Sequence, residues 1–305
     1  MPNLAVNLSN FRLFRNSMTV GIITPVYAAK KSYLRYLEDA IESVPNQGAD
    51  IIHIVVDDGS PTDVASWFHQ TISDPRIRYL RRERAPSDIR TASNARNLGL
   101  QALLDPIYGA VSPQESAEIK YVAFLDADDR LTPMSIDLRV SAFTPQTAFV
   151  YGMFIYVNSI TGSQDIRGRA FRNEPATGLN PDPPLLWTAM FRRDFLVSLR
   201  ESRNRLYGHD LFDPSMTVGE DIDVMLSAFE LLEEKPDITS TFIRFPVYSH
   251  RKIRESTTNL VSRRKDRTDY ARFCEKHDLV NDDKLSFLDR LSDFFRAIRL
   301  GAIRG

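Results

Sequence analysis

The chain has 305 residues, a formal net charge of -1, and a composition that is 43% hydrophobic and 26% charged. These values are typical of a globular protein, and the near-zero net charge excludes strong overall attraction to nucleic acid or anionic lipid. Cys274 is the single cysteine, which excludes an internal disulfide and a cysteine-based zinc site.

The N-terminal residues are not expected to form a secretory signal. Residues 1–17 show no clear period, and we interpret them as an N-terminal arm. Arg12 and Arg15 are not followed by the apolar core of about 7–15 residues that such signals contain. No apolar run reaches the roughly 18 residues that span a bilayer. We therefore expect a cytoplasmic protein.

Strands and helices are predicted to alternate over the first 130 residues. The predicted strands are residues 18–27, 51–56, 77–80 and 121–125, and the predicted helices are residues 31–44, 64–72 and 92–104. Residues 105–120 lack periodicity and are interpreted as a surface insertion. This alternation predicts an α/β fold with a mostly parallel central sheet flanked by helices.

The second half of the chain is predicted to add further strands and helices. The expected elements are a helix from Thr132-Pro133, one or two strands in 149–157, a long loop at 161–184, a strand near 187–191 with a helix to Leu199, a helix from Glu220 to about Glu234, and a short strand at 243–248. Residues 259–305 are expected to form a helical C-terminal extension.

The strand at 121–125 ends in the acidic segment Asp126-Ala127-Asp128-Asp129. Open α/β sheets bind ligands beyond the carboxyl ends of their strands. Asp126 and Asp128 are separated by one small residue, so both carboxylates can face one hard cation. Such oxygen ligands suit magnesium or manganese held jointly with substrate phosphates. An acidic turn that caps the next helix would explain the same pattern.

Two more acidic pairs, Asp57-Asp58 and Glu220-Asp221, accompany this segment. Carboxylates that repel one another are costly unless a cation or a reaction requires them. The three clusters together favour a metal-dependent enzyme that acts on a phosphate-containing substrate. For Glu220 and Asp221, a favourable interaction with the helix dipole is the alternative explanation.

Six motifs, in matching order and spacing, resemble those of the family 2 glycosyltransferases over roughly residues 18–258. They are Thr24-Pro25-Val26-Tyr27, Val55 to Asp63, Ala95 to Leu100, Phe124 to Asp129, Gly219 to Asp223, and Tyr248 to Ser256. Two positions depart from the family pattern. Ala28 replaces the usual asparagine, and Ile253 and Arg254 stand where a histidine often follows the arginine.

This resemblance implies the GT-A, or nucleotide-diphospho-sugar transferase, fold for residues 18–258. It also implies an inverting transfer of a sugar from a nucleotide-diphosphate donor, most often a UDP-sugar, to an acceptor hydroxyl. The implied mechanism is a single displacement assisted by manganese or magnesium, in cell-wall or polysaccharide synthesis. The acceptor, whether a saccharide, a lipid-linked glycan or another hydroxyl compound, stays open.

The resemblance also implies roles for individual residues. Asp221 is the expected general base, with Glu220 as the second candidate, and Asp128 is the expected metal ligand together with Asp126. The expected donor-binding residues are Thr24, Pro25 and Tyr27 at the nucleobase, Asp58 and Asp57 at the uracil ring, Asp126 at the ribose, and Arg96 and Arg251, with Arg254, at the diphosphate. Asp129 is expected to cap a helix and Asp223 to lie on a helix surface.

Three other functions compete with this interpretation of the sequence. A sugar-nucleotide pyrophosphorylase needs a glycine-rich loop after its first strand, and residues 24–31 contain no glycine. A degenerate protein that only binds a nucleotide or a partner is disfavoured because all three acidic clusters are present. The arginine-rich stretches 76–96 and 244–272 leave a nucleic-acid acceptor open.

The C-terminal extension carries an apolar stripe followed by Arg296, Arg299 and Arg304. Its residues are Leu285, Leu288, Leu291, Phe294, Phe295 and Ile298. One interpretation is peripheral contact with a membrane near a lipid-linked acceptor. We favour the other, in which the stripe packs on its own domain or on a second subunit as a homodimer.

Overall fold

A computed structural model describes most of the chain. The described residues are 19–45, 47–85, 88–89, 91–105, 110–168, 185–217, 219–253 and 276–277. The predicted N-terminal arm, residues 169–184 of the predicted loop, Arg254 and the apolar stripe of the extension lie outside them. The division of the chain into an arm, a domain and an extension therefore stays a prediction.

The described residues form one sheet with helices around it. The strands are β1 (Thr19–Val26), β2 (Asp50–Asp57), β3 (Ile77–Arg81), β4 (Ile119–Phe124), β5 (Arg130–Leu131), β6 (Thr147–Asn158), β7 (Gln164–Arg167), β8 (Met190–Arg192) and β9 (Thr239–Lys252). The helices are α1 (Leu34–Glu42), α2 (Val64–Thr71), α3 (Ser93–Leu104), α4 (Pro113–Glu118), α5 (Ser135–Ser141), α6 (Arg193–Tyr207) and α7 (Glu220–Glu233). Short 3₁₀ turns at Lys31–Tyr33 and Leu186–Thr188 precede α1 and β8.

The strand order is β3-β2-β1-β4-β8-β6-β9-β5, and β7 pairs with β6 outside this path. Strands β1 to β4 are mutually parallel, which confirms the α/β class with a mostly parallel sheet. Antiparallel pairing begins where β8 joins β4 and β6. Parallel strands are covered on both faces, which is why each of β1, β2 and β4 contains a continuous apolar run.

The insertion at 105–120 contains a helix that we did not predict. Helix α4 begins after Ser112, whose hydroxyl accepts a hydrogen bond from the Glu115 amide at 3.2 Å. The Glu115 carboxylate in turn accepts a hydrogen bond from the Ser112 amide at 2.7 Å. This reciprocal capping pattern of a serine followed three residues later by glutamate was visible in the sequence, and it marks a helix start.

Three predicted boundaries in the second half were wrong. Helix α5 begins at Ser135 because Arg130–Leu131 first pair with β9 as the short strand β5. Helix α6 continues past Leu199 to Tyr207. Strand β9 is much longer than 243–248, since shifts in its register with β6 beside Met153 accommodate Pro246 within it.

Gly99 lets α3 approach the sheet closely. A Cβ atom at Gly99 would lie 2.5 Å from Cγ2 of Ile23 and 3.3 Å from Cγ2 of Val56. Ile23 and Val56 are fully buried and have little room to move. Arg96 lies three residues before Gly99 on the same side of the helix, so this close approach also sets the position of the Arg96 side chain.

We expect Gly99→Ala to lower the free energy of unfolding by about 1–3 kcal/mol, the usual cost of overpacking a core. Denaturant titration measures this change. The Ile23→Ala background removes the two side-chain atoms nearest the new methyl group, so the cost of Gly99→Ala should be smaller there. Equal costs in both backgrounds would contradict the proposed clash.

Candidate active site

The C-terminal end of β4 and the N-terminus of α7 meet at Arg96 of α3. The Arg96 guanidinium donates through Nη2 to Asp126 Oδ1 at 2.7 Å and through Nη1 to Glu220 Oε1 at 2.8 Å. Only 5% of its side chain is exposed, and it packs over the Phe212 ring. One arginine of α3 therefore joins two acidic motifs that are far apart in sequence.

Burial and charge oppose each other in this cluster. Burial lowers the pKa of Arg96, but Asp126, Glu220 and Asp221 outweigh it and hold the group firmly protonated. Burial raises the pKa of Glu220 to about 7, and Arg96 only partly offsets it. The neighbouring Asp221 carboxylate adds to the effect of burial. One guanidinium is shared among several carboxylates, so the site carries excess negative charge.

Asp221 differs from Glu220 in its hydrogen bonding. Glu220 accepts from Arg96, whereas Asp221 accepts no side-chain hydrogen bond from any described residue. Burial raises the pKa of Asp221 and Asp126 raises it further, whereas Arg96 and the backbone amides of Ile222 and Asp221 lower it. A buried carboxylate with a raised pKa is a stronger base than an ordinary aspartate and is suited to accept a proton.

The loop after β4 is held by side chains of β9. The Asp126 amide donates to the Tyr248 hydroxyl at 2.9 Å. Asp129 is buried and accepts from the Arg251 amide at 2.7 Å, and its other oxygen lies 3.0 Å from His250 Nδ1. The expectation that Asp129 caps the next helix was therefore wrong. Its carboxylate instead contacts His250 and Arg251 and so connects the loop after β4 to β9.

Asp128 is the candidate metal ligand that the loop leaves available. Burial raises its pKa to about 7, and the neighbouring Asp129 and Asp126 carboxylates add to this effect. The described residues contain no group of three or more potential ligands arranged to hold an ion. Magnesium and manganese often bind through one or two carboxylates plus substrate phosphates, so an Asp126–Asp128 pair fits such an ion only together with a donor.

Asp57 and Asp58 have different surroundings at the end of β2. Asp57 is fully buried and accepts from the Ser60 amide, the Tyr79 hydroxyl and the Arg81 guanidinium at 2.8, 2.7 and 2.9 Å. Both of its oxygens are thus occupied within the protein. The predicted contact of Asp57 with a nucleobase is not supported by this arrangement.

Asp58 accepts from Arg82 Nη1 at 2.8 Å, and Arg84 lies 3.7 Å away. Burial raises its pKa, and the two arginines oppose this effect. Arg84 also lies over the Tyr27 ring, 5.6 Å from its centroid. Asp58, the two arginines and Tyr27 therefore form one connected cluster beyond β1 and β2, in which Asp58 is buried.

The end of β1 separates the three residues predicted at the nucleobase. Pro25 and Tyr27 are partly exposed, whereas Thr24 is fully buried. The Thr24 hydroxyl lies 2.8 Å from His53 Nε2 inside the protein. Alternate residues of a strand face opposite sides of the sheet, so the Thr24 side chain does not line the exposed surface.

Arg251 was predicted to reach a diphosphate, but the structure commits it elsewhere. Its Nε donates to the Asp128 carbonyl, its Nη1 pairs with Asp39, and its guanidinium packs over the Tyr36 ring. Arg251 therefore ties α1 to the loop after β4. Arg96 is likewise bound to carboxylates, so the structure places neither arginine on an open phosphate site.

Sequence reasoning missed or misassigned several residues around the site. His250 stacks on Trp187 at 5.2 Å, and Asp129 raises its pKa to about 9 although burial opposes this. The family pattern places a histidine after the arginine, and His250, one position before Arg251, was a signal in the sequence that we did not use.

Asp223 was expected on a helix surface. It is instead fully buried and pairs with Arg203.

Comparison with known proteins defines the class of this fold and site. The model of glycosyl transferase family 2 matches residues 21–196, which is more than half of the chain. The chain therefore belongs to the family 2 glycosyltransferases, and its fold is GT-A. The match contains the acidic clusters at 57–58 and 126–129, whereas Glu220, Asp221 and Arg251 lie beyond it.

Individual relatives agree with this assignment. Proteins described as uncharacterized glycosyltransferases from Rickettsia bellii (strain RML369-C) and Rickettsia felis (strain ATCC VR-1525 / URRWXCal2) are each 28% identical over 138 residues. The match covers 45% of this chain but only 16% and 19% of those relatives, so it represents a small part of their length.

Solved structures share the fold at low identity. S. aureus TarS 1-349 in complex with UDP has a TM-score of 0.54 and 15% identity, covering 92% of this chain and 71% of that chain. The complex of the same protein with UDP-GlcNAc has a TM-score of 0.52 and 16% identity, covering 92% and 82%. Among the described residues, no helix is long and apolar enough to cross a membrane.

We expect Arg96→Gln to destabilise the protein by about 3 kcal/mol, because it leaves buried carboxylates without their cation. The folded-state pKa of Glu220 is already above its unfolded value and would rise further. The loss of unfolding free energy should therefore be small below the pKa of Glu220 in the unfolded chain, and it should grow as the pH rises through the pKa of Glu220 in the folded protein. We expect a larger loss at pH 8 than at pH 5. Denaturant titrations at both pH values measure it.

Arg200→Gln is the matched control for this prediction. Arg200 also pairs with an aspartate, Asp210, but both side chains are about one-fifth exposed. Removing a pair that water still reaches should cost less than removing the cation of the nearly fully buried Arg96 pairs. A loss in Arg96→Gln that is no larger than in this control would contradict the central role of Arg96.

Proposed function

We propose that the protein transfers a sugar from a nucleotide-diphosphate donor, a UDP-sugar, to an acceptor hydroxyl with inversion at the anomeric carbon. The observation that carries this proposal is the bridge from Asp126 through Arg96 to Glu220. It brings the segment after β4 and the start of α7 together, which a donor site and an acceptor base require.

Asp221 is the proposed general base. Its carboxylate takes the proton of the acceptor hydroxyl as that oxygen attacks the anomeric carbon, while the bond from the sugar to the diphosphate breaks. Glu220 is proposed to act through Arg96. Its ion pair with Arg96 holds the general base Asp221 close to Asp126, the carboxylate that is expected to contact the sugar donor. The raised pKa of Asp221 supports this division, because a stronger base removes a proton more effectively.

Asp128, with Asp126, is proposed to hold manganese or magnesium. When bound, such an ion neutralises charge that develops on the departing diphosphate. Burial and the neighbouring carboxylates Asp129 and Asp126 raise the pKa of Asp128, and a bound cation would offset both effects. His250 lies 3.0 Å from the adjacent Asp129 and helps to hold the loop that carries Asp128.

Asp58, Pro25 and Tyr27 are proposed to bind the nucleobase. Asp58 offers a carboxylate for the ring N–H of uracil, and the partly exposed Tyr27 offers an aromatic surface. The structures of TarS with UDP and with UDP-GlcNAc support a uridine nucleotide as the first donor to test. The acceptor and the sugar stay open, as does a nucleic-acid acceptor.

Asp221→Asn should lower kcat by a factor of about 10² to 10⁴ with little change in the KM of the donor, since only proton transfer is lost. Glu220→Gln should cost less and should retain the acidic limb of the pH-rate profile. That limb should lie above the ordinary aspartate pKa of about 4, because the base is inactive when protonated. Steady-state kinetics across pH measures both effects.

Asp194→Asn provides the control for these variants. Asp194 also lies in the first turn of a helix, but its side chain is 68% exposed and it pairs with Arg192 far from Asp221. Its kinetics should match those of the unaltered protein. Greater loss in Glu220→Gln than in Asp221→Asn would reverse the assignment of the base.

A thermal-shift screen of nucleotides and nucleotide sugars, with and without manganese, tests the donor class. We expect UDP and a UDP-sugar to raise the Tm more than guanosine or adenosine diphosphates, and manganese to increase the shift. Asp128→Ala should remove the manganese-dependent part alone. The proposed function is wrong if no nucleotide or nucleotide sugar stabilises the protein under either condition.

A further inference from the structure

A second cluster of charged side chains lies around the first turn of α7, two residues beyond Asp221. Its centre is Asp223, whose side chain is fully buried. The Asp223 amide donates to the Gly219 carbonyl at 2.9 Å, which is the hydrogen bond that closes the first turn of α7. Whatever holds Asp223 in place therefore also holds the turn that carries Glu220 and Asp221.

Three cationic side chains surround the Asp223 carboxylate. Arg203 of α6 donates to Oδ2, and Lys276 Nζ lies 3.4 Å from the same oxygen. His277 Nε2 lies 3.0 Å from Oδ1. Burial raises the pKa of Asp223, but the bond from His277 and the charges of Arg203 and Lys276 reverse this and keep the carboxylate ionised.

Lys276 also contacts the segment that leads into α7. Its Nζ lies 2.5 Å from Asp213 Oδ2 and 3.2 Å from His209 Nε2. The Tyr207 hydroxyl donates to the Lys276 carbonyl at 3.2 Å, and the Tyr207 ring lies beneath the ammonium group. A single lysine therefore joins the end of α6, the connecting segment and the first turn of α7.

His277 joins two positions of α7, Asp223 and Glu230, that are about two turns apart. Its Nε2 lies 3.0 Å from Asp223, and its Nδ1 lies 2.7 Å from Glu230 Oε1. Carboxylates accept from both ring nitrogens, so both carry protons and the ring is an imidazolium. The side chain is only 1% exposed, which shields these bonds from water.

We propose that Lys276 and His277 are positioning residues that hold the first turn of α7 so that Asp221 faces the donor. The proposal rests on the function proposed above. Both residues contact Asp223, whose amide bonds the Gly219 carbonyl, and through Asp223 they act on the turn that carries Glu220 and Asp221. From there the connection continues through Glu220 and Arg96 to Asp126, so residues near position 276 determine how the acceptor base meets the donor site.

The test compares Lys276→Met, His277→Gln and the milder Glu230→Gln with the full-length unaltered protein. Hydrogen exchange of the amides of residues 220–226 reports on the first turn of α7 independently of activity. We expect exchange there to accelerate at least about 10-fold in Lys276→Met and His277→Gln, as local opening becomes easier. Glu230 is half-exposed, so its variant should fold even if a buried one does not.

Kinetics separates positioning from general stability. A misplaced base should lower kcat by about 10- to 100-fold while the donor KM changes less than about twofold. Lys276→Arg retains the charge and should restore much of kcat. Glu115→Gln is the control, because it breaks the Arg78–Glu115 pair between β3 and α4 and should leave kcat and exchange at 220–226 unchanged.

The outcomes distinguish this proposal from the proposed function. Variants that lose thermal stability but keep normal exchange at 220–226 and normal kcat would show a purely structural role and overturn it. If the unaltered protein transferred no sugar, the proposed function would fail, while the exchange comparison would still decide whether Lys276 and His277 hold α7.

Discussion

The guanidinium of Arg96 between Asp126 and Glu220 is the interaction on which the site depends. It is buried, it serves several acids, and it links β4 to α7 through α3. Its position follows from the packing of α3, where Gly99 allows the helix to lie directly against Ile23. The close packing of α3 against the sheet at Gly99 therefore also positions the electrostatic centre of the site.

Much of the first half of the fold could be predicted from the sequence, because buried parallel strands are continuous apolar runs and the helices between them have clear periodicity. The acidic pairs were recognisable because they end those strands. The pairing of Arg96 with Glu220 was not predictable, since the residues are 124 positions apart and nothing local connects them. Only tertiary structure shows that Arg96 binds carboxylates.

Residues whose partners lie far along the chain were also the ones misassigned. Asp129 looked like a helix cap because the next helix is near in sequence, but its partners are His250 and Arg251 on β9. Asp223 looked exposed because charged residues at a helix start usually are, but three cations surround it. In both cases nearby residues alone could explain the charge at that position, but the side chain pairs with residues that lie far away in the sequence.

The order of the strands has a consequence for the behaviour of the protein in concentrated solution. In the described part of the chain, the path of strands ends at β5, which has two residues, and at β3, which has five, and β7, with four residues, forms a further short edge beside β6. An unpaired edge is a template to which a strand of another molecule can add, and short or charged edges oppose this. The brevity of β5 and the arginines of β3, Arg78 and Arg81, thus protect an otherwise broad apolar sheet from growing into aggregates by strand addition.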